Sequence, residues 1–380
     1  MALVSLYDTF QLPEGKKSIR VVRLNRQAPV GLGVELEFRV VELDAASFDY
    51  TALSYVWGNP EPTACVLIDN YPMEITSNLN EFLLEMQCQY RFEWFWIDAL
   101  CINQTDIEEK NHQVQMMGEI YQRASKVMIW LGNWTWNPQL IPQLLDKVAK
   151  VLKLSDNNGE GSYPGYTTAE LDAIRDICHR PYWQRVWTVQ ERILAPKLSI
   201  ACGSMHIEWE HFSSNLERHM VDIFTQDTED LRALNMTIRN SPAMQIINKK
   251  SSWEYQRNNQ GVTIENLLFQ YRLLQATDPR DRIYGLLALV TPPAKWWLEA
   301  NPDYKEPTPI LADYSKTAVE LYESILTLKY PQGAKTKSID AEIVAEILPA
   351  TLDLDPGHEK VKEIINKFLP NRRDPAGIGA

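Results

Sequence analysis

Apolar and polar positions sort the first half of this chain into short β-like runs alternating with helical periods, and the second half into mainly helical periods. Ser18–Leu24 and Val34–Leu43 read as a strand pair separated around Gly31 and Gly33. Three apolar segments follow, each closed by turn-forming or polar residues. Tyr50–Trp57 ends at Gly58-Asn59-Pro60, Trp94–Ala99 runs into Asn103–Asp106, and Val127–Leu131 ends at Gly132-Asn133. Between them, Ser77 or Asn78 is placed to cap a helix through Gln87. Asp106 caps a longer one, with Ile107, Val114, Met117, Tyr121 and Ala124 on one face. Strand–helix alternation with strands apolar throughout predicts a parallel α/β sheet flanked by helices on both faces.

Further on, Pro142–Leu154 and Thr168–Ile177 read as helices, with a Gly/Asn/Ser-rich loop at Ser155–Gly165. Trp183–Leu194 lacks internal Gly and Pro and lies between Pro181 and Pro196, so it predicts one helix. Leu198–Ala201 and Met205–Trp209 form a hairpin pattern across Cys202-Gly203-Ser204. Beyond Phe212 the chain is more polar. Asp278-Pro279-Arg280-Asp281 predicts a helix start with Asp278 at N-cap. A Pro-rich stretch precedes a helix around Tyr314–Leu328, and Val361–Phe368 is amphipathic. The expected organisation is an N-terminal strand pair over 1–49, the main domain over 50–211, a helical region over 212–330 and a tail over 331–380.

Charge and cysteine usage narrow the function classes. With 38 Lys and Arg against 50 Asp and Glu, the formal net charge is -12. That balance argues against general nucleic-acid binding and against adsorption to an anionic membrane. No apolar run is long enough to span a bilayer, and Met1–Gln11 lacks the pattern of a signal peptide. The five cysteines are odd in number and form no CxxC, which fits a reducing compartment. A cytoplasmic location is expected.

Several site chemistries lack their residues. Gly31-x-Gly33 lacks the third glycine of a dinucleotide fingerprint, and Walker A, HExxH and GxSxG are absent. His206 and His211 have no evident third ligand, so no metal site is expected. Cys101 reads as a buried thiol. What remains is the rim where the three strands end, because ligands of open parallel sheets bind at the carboxyl ends of strands. Tyr55, Trp57 and Gly58, then Asp98 and Asn103, then Gly132, Asn133 and Trp134 gather there. If Trp183–Leu194 is one helix, Trp183, Trp187 and Glu191 share a face, and the indoles desolvate the carboxylate and raise its pKa. The same spacing also fits packed indoles with Glu191 paired to Arg185 or Arg192.

The motifs resemble a known family. Tyr50-Thr-Ala-Leu-Ser-Tyr-Val-Trp-Gly58, Trp96-Ile-Asp-Ala-Leu-Cys-Ile-Asn-Gln104 and Trp183-x-Arg-x-Trp-Thr-Val-Gln-Glu191 are similar to the three motifs of the fungal heterokaryon incompatibility (HET) domain. Asp278-Pro-Arg-Asp-Arg-Ile-Tyr-Gly-Leu-Leu287 and Asp313-Tyr-Ser resemble elements that often follow it. The resemblance implies fungal non-self recognition and regulated cell death, akin to innate immunity. It also implies a distantly TIR-like, flavodoxin-like parallel sheet. Trp187-Thr-Val-Gln-Glu191 resembles the W-C-x-x-E helix of NAD-cleaving TIR domains, with Thr188 in the Cys position, and Asn133-Trp134 resembles the residues after the third TIR strand.

By that resemblance the expected activity is NAD(+) glycohydrolase, with Glu191 catalytic and NAD a substrate rather than a resident cofactor. Tyr55, Trp57 and Trp187 then stack on substrate, Asp98 and Asn103 bind hydroxyls or the amide, and Arg185 or Arg280 binds the pyrophosphate. Gly58, Asn133 and Trp134 complete the rim. A homo-oligomer is expected, with the Ala99–Glu108 loop at the contact. The alternatives are a non-enzymatic homotypic signalling module and a nucleotide-binding sensor.

Overall fold

A computed structural model of the protein describes residues 5–25, 33–44, 48–89, 91–134, 166–219, 229–247, 249–300, 308–330 and 343–370. The helix read at 142–154 and the loop read at 155–165 lie outside the described residues. The chain divides into two compact units. The first comprises Met1–Gln104, Gly118–Gln184 and Glu191–Lys250, and the second Thr105–Met117, Arg185–Gln190 and Ser251–Ala380.

The first unit holds a nine-stranded sheet. Its strands are β1 (Ser18–Leu24), β2 (Glu35–Glu42), β3 (Thr51–Tyr55), β4 (Ala64–Ile68), β5 (Tyr71–Ile75), β6 (Phe95–Trp96), β7 (Lys126–Trp130), β8 (Leu198–Cys202) and β9 (Met205–Glu208). Their order is β5-β4-β2-β1-β6-β3-β7-β8-β9. The sheet is mixed, which corrects the expectation of a parallel sheet. Strands β6-β3-β7-β8 form a run of four parallel neighbours, and β2 and β4 make a separate parallel pair. The expected strand pair β1/β2 is antiparallel and joins this core through β6. The expected hairpin β8/β9 closes the other side.

Burial explains the patterning. Every residue of β3 and β8 is buried, as it must be for strands covered on both faces. Strand β5 at the sheet edge is mostly accessible and tolerates Pro72. The β4/β5 hairpin was absent from the sequence reading. Its turn is Asp69-Asn70, with φ of +47° and +68°, a conformation these two residue types tolerate best among non-glycines.

Helix α1 (Leu6–Thr9) opens the first unit, and α2 (Ser77–Cys88) and α3 (Asp98–Cys101) follow β5 and β6. The N-cap of α2 is Thr76, one residue before the expected Ser77. Phe82 of α2 packs edge-on to Phe95 and to Trp130, with ring centroids 5.5 Å and 5.6 Å apart. The long helix α4 (Ile107–Arg123) starts as expected, with Asp106 Oδ1 accepting from the amides of Glu108 and Glu109. The helix Thr168–His179 carries a capping box formed by Thr167 and Glu170.

The expected single helix over Trp183–Leu194 is corrected. The segment is a 3-10 turn at Pro181–Gln184, an extended bridge from Arg185 to Gln275, and a short helix at Thr188–Ile193. Trp183 and Trp187 lie outside that helix, so they do not share a helical face with Glu191. Trp183 is a core residue instead: it stacks on Phe212 at 6.0 Å and donates to the Ile177 carbonyl at 2.6 Å.

In the second unit, the expected start at Asp278 is also shifted. The helix is only Asp281–Tyr284, Arg280 is its N-cap, and Asp278–Asp281 is a turn. The helix Ala318–Lys329 is closed by a Thr317/Glu320 capping box, and Glu359–Phe368 buries Val361, Ile364, Ile365 and Phe368 on one face.

Candidate functional site

Taken in chain order, the parallel strands β3, β6, β7 and β8 lie in the spatial sequence second, first, third, fourth. The order therefore reverses between β3 and β7, and the crevice outside their carboxyl ends is where open α/β sheets take ligands. Gly58 follows β3 with φ +79°, and Gly132 follows β7 with φ +91°. Both turns need a residue that enters the left-handed region without strain.

One side chain spans the two strand ends. Asn78, in the first turn of α2, donates through Nδ2 to the Val56 carbonyl at 2.5 Å, and its Oδ1 accepts Trp130 Nε1 at 2.9 Å. Arg180 braces the β7 turn from the other side. Its Nη1 donates to the carbonyls of Leu131 at 3.2 Å and Asn133 at 3.1 Å, while Nε donates to Asp176 at 2.9 Å. A Cβ at Gly132 would lie 3.3 Å from Arg180 Nη1, so the glycine is required by proximity as well as by φ. Asn78 was read only as a helix cap and Arg180 was missed. An Arg at the end of a helix, immediately before Pro181, was the available signal for the second.

The other rim residues divide. Trp57 Nε1 donates to Asp98 Oδ2 at 2.9 Å, so the structure brings together the ends of β3 and β6. Asp98 Oδ1 also accepts the Ala99 amide at 2.8 Å. Arg20, buried in β1, donates to the Cys101 carbonyl at 3.1 Å and to Phe10 at 2.7 Å, which fixes the turn carrying Asp98. Asn103 is half-buried beyond that turn. Asn133 is exposed, and Trp134 lies against Gly203 of the β8/β9 turn.

Glu191 is 3% exposed. Ser54 Oγ, on β3, donates to its Oε2, and Ser54 Oγ is 2.8 Å from the Tyr182 hydroxyl. Side chains alternate along a strand, so Tyr55 points to the sheet face opposite Ser54 and is not gathered with Glu191. Nothing local in the sequence signals the Ser54–Glu191 bond, which joins residues 137 positions apart.

Trp187, Arg185 and Arg280 belong to the second unit. There Asp281 Oδ1 accepts the Tyr314 hydroxyl at 2.6 Å and the carboxylate also accepts from Trp187. Burial lifts Asp281 above the ordinary carboxylate range despite those donors, with Asp278 adding to the rise. Arg280 is committed inside this cluster. It binds Asp278 through Nε and Nη2 and donates through Nη1 to the carbonyls of Tyr314 and Lys316. Its guanidinium also faces the Tyr314 ring, as does Lys110 at 4.3 Å. Asp278 is buried in part, but the bonds from Arg280 and the charges of Arg280 and Lys110 hold it below its usual range. The motif elements Lys110-Asn111, Trp187, Asp278–Gly285 and Asp313–Ser315 thus converge, with Asn111 accepting the Tyr314 amide at 2.8 Å.

Among the described residues, no three His, Cys, Asp or Glu side chains gather as metal ligands, and no helix is long and apolar enough to cross a membrane. Burial pushes the Cys101 thiol up to about 12.

Strands β3 to β7, the rim residues and Glu191 all fall within one matched stretch. Residues 50–191 match the family model described as heterokaryon incompatibility protein (HET). That stretch is similar to a HET domain. The chain is similar to heterokaryon incompatibility protein 6, OR allele, of Neurospora crassa, with 27% identity over 339 residues that cover 75% of this chain and 49% of that protein. The chain thus spans about half the length of the curated relative it matches. No solved structure matches it. The family match begins at Tyr50, just before β3, and ends at Glu191. The matched stretch therefore includes Ser54, Asn78, Arg180 and Tyr182, which the sequence motifs alone do not single out as a group.

Proposed function

We propose that this chain acts in heterokaryon incompatibility, the fungal recognition of non-self that ends in regulated cell death, and that its HET domain is an effector that cleaves NAD. The names of the matched family and relative support the first part. The observation that carries the second is the Glu191 carboxylate held by Ser54 on β3, the strand that ends two residues before Trp57 beside the reversal of strand order.

The chemistry needs few groups. Nicotinamide leaves NAD with the electron pair of the C–N bond, and positive charge develops on the ribose. A carboxylate in a water-poor setting stabilises that charge more strongly than one in bulk solvent. Water then adds to the sugar carbon, giving ADP-ribose, nicotinamide and one proton. Trp57, fixed by Asp98, supplies a stacking surface at the rim, to which Asn103, Asn133 and Trp134 also belong. Asp98 serves here by orienting the indole. Arg280 is engaged with Asp278, so it is not carried forward as a pyrophosphate ligand. The strand order of the parallel core supports a flavodoxin-like, TIR-like arrangement, and self-association follows from that likeness.

A second reading is a signalling module without turnover. The burial of Glu191 favours it, because a carboxylate closed off by Ser54 and Tyr182 also serves as a structural pin. Expression in yeast separates the two. The effector reading expects cellular NAD and viability to fall together with the wild-type chain and neither to fall with Glu191→Gln. Death caused equally by both chains, with NAD unchanged, would leave only the signalling role.

A further inference from the structure

Two hydroxyls stand between Glu191 and the sheet, and neither belongs to the rim. Ser54 is fully buried on β3, where it is paired in register with Ile129 of β7, so only its χ1 angle is free. Tyr182 is 1% exposed, and its ring packs edge-on to Trp183 at 5.0 Å and 88°. Its hydroxyl is therefore fixed by the core. A serine hydroxyl has one proton to give and two lone pairs to receive with. When Glu191 is ionised, Ser54 gives its proton to Oε2, and Tyr182 must then donate to Ser54. The bonds form a directed chain, Tyr182 to Ser54 to Glu191, in which each donor polarises the next.

Glutamate has three rotatable bonds, and a buried carboxylate without donors is costly. Two core-fixed hydroxyls in series choose one carboxylate orientation and stabilise its charge. We infer that Ser54 and Tyr182 are positioning residues for Glu191. They hold Oε2 and so fix the orientation in which the carboxylate meets the electron-poor ribose carbon. The inference rests on the reading that Glu191 is the carboxylate of NAD cleavage.

The test uses the full-length chain with NAD and three variants, each checked for folding by circular dichroism. Tyr182→Phe keeps the ring and its packing and removes one oxygen. Ser54→Ala removes the hydroxyl in direct contact. The expected result is a fall in kcat of about tenfold for Tyr182→Phe and more for Ser54→Ala, with KM unchanged. The infrared difference between wild type and Glu191→Gln isolates the Glu191 carboxylate stretch. That band should move in both hydroxyl variants, which loss of packing alone would not cause. Wild-type kcat in Tyr182→Phe and Ser54→Ala, with Glu191→Gln inactive, overturns the positioning role and leaves the catalytic reading intact. Equal turnover in wild type and Glu191→Gln, or none in either, overturns the catalytic reading and this inference with it.

Discussion

The indole of Trp130 donates to the side-chain oxygen of Asn78 at 2.9 Å. Because the same Asn78 amide donates to Val56, one residue of α2 ties together the ends of the two strands that flank the reversal of strand order. Trp130 is fully buried, so its N–H has no water to turn to. Asn78→Ala should therefore destabilise the first unit by about 1–3 kcal/mol, the cost of a buried unsatisfied donor. A urea unfolding curve checks this, and an unchanged midpoint would remove Asn78 from the account of the rim.

Gly132 and Gly58 allow a paired comparison. Alanine at either position meets a left-handed backbone, at a cost of about 1 kcal/mol. At Gly58 the added Cβ meets only Asn78 Cβ at 3.8 Å, whereas at Gly132 it meets Arg180 Nη1 at 3.3 Å. Gly132→Ala should be the more destabilising by about 1 kcal/mol, from crowding of the Arg180 brace. Equal unfolding midpoints would mean that Arg180 gives way freely.

His206 on β9 supplies a pH dependence. Burial and the nearby Arg91 and Lys126 lower its pKa to about 4, with Glu93 acting the other way. The unfolded chain takes up this proton near the ordinary histidine value of about 6.5, before the folded chain does. Between those values the unfolded state binds more protons, so stability is lost as pH falls from about 6.5 towards 4. His206→Gln should flatten the decline of Tm with pH across that window. An identical decline in the variant would assign the acid sensitivity elsewhere.

The thiols divide by burial. Cys65 and Cys88 are exposed, while Cys101, Cys178 and Cys202 are buried. Burial pushes the Cys101 and Cys178 thiols up to about 12 and the Cys202 thiol to about 11. Iodoacetamide at pH 8 should label Cys65 and Cys88 rapidly and the other three only after unfolding, as peptide mass mapping would record. Fast labelling of Cys101 would contradict its reading as a buried, inert thiol.

Much of the sheet was legible because its strands announce themselves by local pattern. β1, β2, β3, β7, β8 and β9 lie where apolar runs end in turn residues, and Asp106 caps a helix where expected. The Trp183–Leu194 segment misled because its composition suits a helix, yet Arg185 bridges to Gln275, ninety positions away in sequence. A tertiary pairing overrode local propensity. Trp57 and Asp98 were legible as neighbours, since both close parallel strands. Ser54, Tyr182 and Arg180 were not, because a buried hydroxyl or a carbonyl-bracing guanidinium has no sequence period. Their partners lie on other elements, and only the fold brings them near.

Purified protein at high concentration, mixed with NAD and followed for nicotinamide release, gives the most direct test of Glu191 as the working carboxylate. Wild type should release nicotinamide, and Glu191→Gln should do so more slowly by about a hundredfold or more, equivalent to roughly 3 kcal/mol of transition-state stabilisation. Release at the same rate by both proteins would contradict the assignment.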